Sequence, residues 1–270
     1  MRTVIIIPAR YASQRFPGKP LAPLRGADGR EKPLIQRSWE AGVAAAAAMG
    51  EGCAVIVATD DARIAEAARG FGAEVAMTPE SCRNGTERAA AALSALDFQP
   101  EIVVNLQGDS PLTPPSFVAA SVQALRDDPA PRAATPAVRC DGAALSLLRA
   151  ERRAGLVGGT TVVADAKGDA LYFSKEVIPF ADGEYADDAP TPVLLHVGLY
   201  AYRIEALSAY AGWAPHPLET LEGLEQLRFL ANRAAMRVVE VAPPGRDFCE
   251  LNNPSDTPRI EAALSALGIA

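Results

Sequence analysis

Long apolar runs are the first thing this sequence lacks. The opening stretch MRTVIIIPAR holds only a short hydrophobic core before charge resumes, too short for a signal segment or a membrane span. It reads as a first β-strand. With no targeting segment in view, the expectation is a cytoplasmic protein with no membrane partner. Cysteine is scarce: Cys53, Cys82, Cys140 and Cys249 stand far apart, with no CxxC and no histidine pair beside them. That argues against a disulfide framework and against a zinc ligand set, and leaves free thiols. Histidine is rarer still, only His196 and His216. A GxSxG elbow, a Cys–His pair, a GxxxxGK[ST] loop and a GxGxxG fingerprint are all missing, which disfavours covalent catalysis, P-loop chemistry and dinucleotide binding. Positive charge is also in deficit, with 26 Lys and Arg against 33 Asp and Glu and a formal net charge of −7. Nothing here suits a nucleic-acid-binding surface. An acidic chain that binds an anion must gather its cations locally.

What is present is enough for a core. Of 270 residues, 49% are hydrophobic and 22% charged, which argues against wholesale disorder and fits one large α/β domain. Apolar runs at Val4–Ile7, Ala54–Ala58, Glu74–Met77 and Ile102–Leu106 read as buried strands. Helical patterns at Leu34–Met49, Ala62–Phe71, Thr86–Leu96 and Pro115–Leu125 alternate with them. This alternation predicts a doubly wound, mostly parallel sheet, with ligands beyond the carboxyl ends of its strands. The second half changes character. Thr160–Ala164 and Ala170–Phe173 read as a hairpin around Lys167-Gly168-Asp169, and Phe180–Pro192 as an acidic loop. His196–Tyr202 and Arg237–Val241 read as strands, Pro217–Arg233 and Asp256–Leu267 as helices. One domain spanning 1–270 is expected, with a smaller lobe at about 160–215.

The local cations lie directly after the first strand. Arg10, Arg15 and Lys19 fall within ten residues, in PARYASQRFPGKPL, with Ser13 and Gly18 between them. Cationic side chains and backbone N–H groups at a strand end make a cradle for a polyphosphate, Arg by bidentate contact and Lys as a point charge. Asp109 follows the fourth strand in VVNLQGDSPLTPP, where a carboxylate can hold Mg²⁺ against phosphates.

These segments together resemble the 3-deoxy-manno-octulosonate (Kdo) cytidylyltransferases, also called CMP-Kdo synthetases. The opening loop is similar to that family's PARxxSxRxPGKPL. ATDDARIAEAARGFGAEVAMT (58–78), NGTERAAAA (84–92), VVNLQGDSPLTPP (103–115), ALYFSKEVIPF (170–180), HVGLYAYR (196–203) and PLETLEGLEQLRFL (217–230) follow in order. The resemblance implies a Rossmann-like nucleotidyltransferase fold with a smaller inserted α+β dimerisation lobe. It also implies Mg²⁺ as cofactor, CTP and a sugar acid as substrates, pyrophosphate as product, and a homodimer. It assigns catalysis to Arg10, Arg15, Lys19 and Asp109. Nucleotide binding falls to Ala9, Arg10, Ser13, Lys19, Gly85, Arg88 and Gln107, and sugar-acid binding to Lys175, His196, Tyr200, Glu219, Glu225 and Gln226. For Glu222 an outer-face position and a role are equally open.

Three positions depart from the family pattern. Ser110 stands where the family reads QGDEP, and Lys175 where it has an arginine. Asn252, in ELNNPSD, stands where a GVDTPEDL-like stretch has its second metal-binding aspartate. Asn252 is therefore expected at the metal beside Asp109, with Asp247, Glu250 and Asp256 close enough in sequence to substitute. The departures leave room for a sialic-acid-like or amino-ulosonic acid substrate, or for a weakly catalytic nucleotide-binding relative. Tyr200, Tyr202, Tyr210 and Trp213 are a candidate surface for a two-fold contact, with the core as the alternative.

Overall fold

The structure, a computed structural model, describes residues 2–12, 16–50, 52–157, 159–243, 245 and 249–270. The chain divides into two compact units, Met1–Ala119 with Pro244–Ala270, and Ala120–Pro243.

In the first unit, β1 (Thr3–Ala9) leads through the hairpin β2 (Pro23–Arg25) and β3 (Glu31–Pro33) into α1 (Leu34–Met49). β4 (Cys53–Thr59), α2 (Ala62–Gly70), β5 (Glu74–Met77), α3 (Gly85–Ala92) and β6 (Ile102–Leu106) follow, and α4 (Pro115–Asp127) carries the chain onward. The four long strands run parallel in the order β5-β4-β1-β6. The chain steps outward from β1 to β5 and then returns to β6 on the other side of β1. This reversal makes the carboxyl ends of β1 and β6 the switch point where such sheets bind ligands.

Side-chain alternation explains the double winding. Gly42 of α1 packs on Ile7, Val55 and Leu106, whereas Gly85 of α3 packs on Pro8, Asn105 and Gln107. Successive strand residues thus face opposite helix layers. The hairpin β2–β3 follows the cationic loop and was not among the strands expected from the sequence. It is tied down by Arg37, whose buried guanidinium donates to the carbonyls of Leu24 (3.2 Å) and Arg30 (3.3 Å). A cluster of Leu24, Leu34, Leu112 and Leu251 with Ile260 and Leu264 of the C-terminal helix (Thr257–Ala266) seals this end of the unit.

The second unit contains β7 (Ala133–Asp141), α5 (Gly142–Arg153), β8 (Thr161–Ala164), β9 (Ala170–Ser174), β10 (Pro190–His196), β11 (Leu199–Arg203), α6 (Ile204–Gly212), α7 (Pro217–Glu222), α8 (Leu227–Ala231) and β12 (Met236–Val241). β8 and β9 form the expected hairpin, antiparallel from Thr161↔Ser174 to Ala164↔Ala170. β10 and β11 lie antiparallel along β7, and β12 runs parallel to it.

Two expectations are corrected here. His196–Tyr202 is not one strand: the ladder breaks at Val197-Gly198, where the Leu199 N–H turns back to Val197 O at 2.7 Å. Thr135 of β7 fills the break. Pro217–Arg233 is not one helix either, because Gly223 takes a left-handed φ of 63° and ends α7. β7, α5 and α6 escaped the sequence reading. Of the two readings left open for the tyrosines, surface or core, the structure gives the core. Tyr200, Tyr202 and Tyr210 are buried, and Tyr202 and Tyr210 stack on Phe229.

Candidate active site

A cavity of about 960 Å³ opens at the ends of β1 and β6, within the first unit. Pro8, Ala9, Arg10, Tyr11, Lys19, Asn84, Gly85, Arg88, Gln107, Asp109 and Asn252 are among its walls. Backbone shape comes first. Gly108 brings the two strand ends together so closely that a Cβ there would stand 2.5 Å from Pro8 O. Ser38 of α1 holds the same turn by donating to Gly108 O at 2.9 Å. Gly18 turns the loop with φ 71°, and its N–H donates to Tyr11 O at 3.0 Å. Tyr11 in turn carries the Arg63 guanidinium 3.4 Å above its ring, and Asp61 pins Arg63 from below at 2.6 Å. Ser13 and Arg15, expected in this loop, lie outside the described residues.

The chemistry centres on Lys19 and Asp109. Lys19 Nζ reaches Asp109 Oδ2 at 2.5 Å, with the side chains 14% and 25% exposed. The two groups the sequence placed ninety residues apart are thus in contact, open to the cavity. Arg10 is exposed beside them. Arg88 also lines the cavity, but its charge is taken: Nη2 donates to Asp60 Oδ2 at 2.7 Å and Nη1 to Thr78 Oγ1 at 2.6 Å. It braces the ends of β4 and β5 at the wall where a nucleotide-binding residue was expected. Asn84 caps α3 by accepting from the Glu87 N–H at 2.8 Å, which sets Gly85 at the cavity wall.

The C-terminal segment supplies a second carboxylate. Glu250 accepts from Asn252 Nδ2 at 3.3 Å and faces Ser110 Oγ at 3.5 Å. Burial, and then the charge of Asp109, push its carboxyl up to about 7, against Asn252, Lys19 and Ser110. Asp256 is occupied as a cap, accepting the Asn252 N–H at 2.9 Å and the Asn253 N–H at 2.7 Å. Asp247 lies outside the described residues. Among the described alternatives to Asn252, Glu250 is the one whose charge is felt at Asp109, and it meets two of the departures, Ser110 and Asn252, at once. Carboxylate, carboxamide and hydroxyl oxygens are the donor set a magnesium ion accepts, so the residues present fit that ion.

The sugar-acid candidates all fall in the second unit. His196 packs edge-on to Phe173 at 5.0 Å and lies 5.5 Å from Tyr200. Burial pushes its imidazole down to about 3, so it is neutral at physiological pH. Its tautomer follows from Thr135. That hydroxyl has one proton and gives it to Leu199 O at 2.7 Å, so His196 Nε2, 2.9 Å from Thr135 Oγ1, must be the donor. Nδ1 is then left as an acceptor. Tyr200 donates to Gln226 Oε1 at 3.1 Å, and Gln226 Nε2 is buried without a partner among the described residues. Tyr200 and Gln226 are hydrogen-bonded to each other, and His196 lies against the Tyr200 ring. Lys175 sits at the end of β9, its backbone N–H bound to Glu222.

Other acidic groups are engaged in structure. Glu219 has its carboxylate on Arg228, at 2.5 and 2.8 Å, with the guanidinium only 1% exposed. Glu222 accepts from Ser174 Oγ (2.8 Å), Tyr172 OH (3.4 Å) and the Lys175 N–H (3.0 Å). Glu225 stands at the turn before α8, with its carbonyl bound by Tyr210 OH at 3.2 Å. Tyr11, Asn84 and Cys82, which also line the cavity, carried no sequence signal of their own, although Asn84 immediately precedes the Gly85 turn.

Comparison with known proteins bears on this geometry. The family described as Cytidylyltransferase matches residues 4–237. The 3-deoxy-manno-octulosonate cytidylyltransferase of Maricaulis maris (strain MCS10) is 42% identical over 99% of this chain and 99% of its own length. That of Zea mays is 41% identical over 99% of this chain and 83% of its own. A solved structure of CMP:2-keto-3-deoxy-manno-octonic acid synthetase complexed with CTP superposes with a TM-score of 0.81 at 34% identity, covering 99% of this chain and 100% of that one.

Proposed function

The chain belongs to the cytidylyltransferase family, and on that premise we propose that it transfers CMP from CTP to 3-deoxy-manno-octulosonate and releases pyrophosphate. The observation that carries this reading is the Lys19–Asp109 pair, open to a cavity at the β1/β6 switch point. In this reaction the anomeric hydroxyl oxygen attacks the α-phosphorus, the bond to pyrophosphate breaks, and the hydroxyl loses its proton. Little covalent work falls to the protein, whose task is positioning and charge stabilisation. Arg10 and Lys19 offset negative charge on the triphosphate and on the departing pyrophosphate. Gly85 and Gln107 border the base.

Asp109 and Asn252 would hold Mg²⁺, with Glu250 as the second carboxylate, oriented by Asn252. A bound ion would supply charge neutralisation at the phosphate oxygens and would acidify the attacking hydroxyl. Glu250 would offset the negative charge that an asparagine in place of an aspartate at position 252 lacks. His196 Nδ1, Tyr200 and Gln226 Nε2 supply hydrogen bonds to the sugar acid, and Lys175 faces its carboxylate.

The protein works as a homodimer in the cytoplasm. Support for a dimer lies in the second unit, where Leu147, Leu156, Val157, Leu171, Leu221 and Phe180, the last 89% exposed, present apolar surface. Among the described residues no helix is long and apolar enough to cross a membrane. The test is pyrophosphate release with CTP and Mg²⁺ against a panel of ulosonic acids. Kdo should be turned over at least tenfold more efficiently than a sialic acid or an amino-ulosonic acid. A reversed order would replace the substrate, and no release with any acid would make the chain a nucleotide-binding relative.

A further inference from the structure

Asn105 is the residue the functional reading leaves unexplained. It is the fourth residue of β6, fully buried, and neither Nδ2 nor Oδ1 has a hydrogen-bond partner among the described residues. A buried carboxamide with both ends unpaired is costly, and native proteins seldom keep one without a purpose. A leucine has the same branched skeleton and would carry no unpaired polar atoms there. The side chain points to the same face as Gln107, two residues on, which lines the nucleotide cavity. Asn105 Nδ2 and Gln107 Oε1 each stand 3.3 Å from the point where a Gly85 side chain would begin, and Pro8 Cγ closes the third side at the same distance. A donor and an acceptor therefore face one niche, which exists because residue 85 is glycine.

We propose that Asn105 is a positioning residue for base selection: unpaired in the free protein, its Nδ2 closes onto Gln107 Oε1 across this niche when nucleotide enters, and so turns the amide N–H of Gln107 outward into the cavity. An outward N–H donor complements the unprotonated N3 of cytosine and opposes the N3–H of uracil. Gln107 flipped the other way would present an acceptor and reverse that preference. The inference rests on the reading above that Gln107 meets the base. A site that discriminates by hydrogen-bond polarity gains its selectivity from holding that polarity fixed, and a carboxamide free to flip holds nothing fixed. Among the described residues, Asn105 is a buried side chain at the niche with a donor left to do so.

Titration calorimetry of CTP and UTP, in Mg²⁺ and without sugar acid, tests this alongside thermal unfolding. In Asn105→Leu the CTP-over-UTP preference should fall about tenfold, mostly through weaker CTP binding, with the melting temperature equal to or above the native value. In Asn105→Asp, an acceptor that draws the Gln107 N–H inward, the preference should fall further. A folded Asn105→Leu that keeps the preference within twofold overturns the proposal. So does a melting temperature more than 5 °C lower with the preference retained, which would make the amide purely structural. Gln107→Leu separates the two layers. If it leaves the preference unchanged, the base reading and this inference both fall. If it abolishes the preference while both Asn105 variants keep it, only the role of Asn105 falls.

Discussion

The two units use charge in opposite ways. In the first, the parallel sheet gathers Arg10, Lys19, Asp109, Asn252 and Gln107 at strand ends around a cavity, where their polar atoms are reachable. In the second, carboxylates are largely engaged by neighbours: Glu219, which the resemblance offered as a ligand, by Arg228, Glu222 by Ser174 and the Lys175 backbone, and Asp128 and Asp169 by Arg237. What remains there for a ligand is Lys175, bound only through its backbone N–H, and the neutral His196, Tyr200 and Gln226. Residue type does not separate a ligand from a brace; the difference lies in whether a partner already satisfies the group.

That contrast predicts where substitutions act. The largest effect belongs to Asp109→Asn, which removes the carboxylate at the cavity while keeping its shape. Turnover should fall by about 10³-fold, the scale of losing a charge-stabilising group, and Lys19→Ala should cost about 10²-fold. Both should unfold within a few degrees of the native protein, since a partly exposed ion pair contributes about 1 kcal/mol or less. Steady-state pyrophosphate release with parallel thermal scans checks this, and a collapse in stability would place the pair among the braces.

Glu219→Ala should behave in the opposite sense. Leaving the Arg228 guanidinium buried and unpaired costs about 3 kcal/mol, read as a shift in the urea midpoint. Any rise in KM for the sugar acid should be smaller than that loss. A stable variant with a large KM rise would return Glu219 to the binding set that the family resemblance gave it.

The smallest effect sharpens the comparison through pH. His196 has a folded pKa depressed by burial to about 3, below its unfolded value near 6.5. The unfolded state therefore binds the proton first, so the stabilising contribution is complete above pH 6.5 and is lost as pH falls from there towards 3. Between pH 7.5 and 5 the protein should lose about 1–2 kcal/mol from this group. His196→Asn should flatten that part of the stability profile, measured by denaturant unfolding at each pH. An unchanged slope would mean that the imidazole is solvated in the folded protein.

Much of the first unit was legible in the sequence because its signals are local. Leu34–Met49, Glu74–Met77 and Ile102–Leu106 fall where their apolar patterns end. The order of strands and helices forces the loops after β1 and β6 to the ligand end. The second unit was harder to read. The Val197-Gly198 break depends on a hydroxyl from β7, sixty residues away in sequence. Likewise, β7 hides in a run of alanines whose burial on both faces leaves no alternation to detect.

By itself the sequence determined the parallel α/β order, the cationic loop after β1 and the carboxylate after β6, because each rests on near-neighbour spacing and on glycines that only one backbone path accommodates. Tertiary structure alone decided that Arg88 is a brace on Asp60, that Glu250 shares its field with Asp109, that the tyrosines are core, and that Asn105 lies unpaired beneath Gln107. Those outcomes depend on which side chains meet across tens of residues, and on which are withdrawn from water when they do.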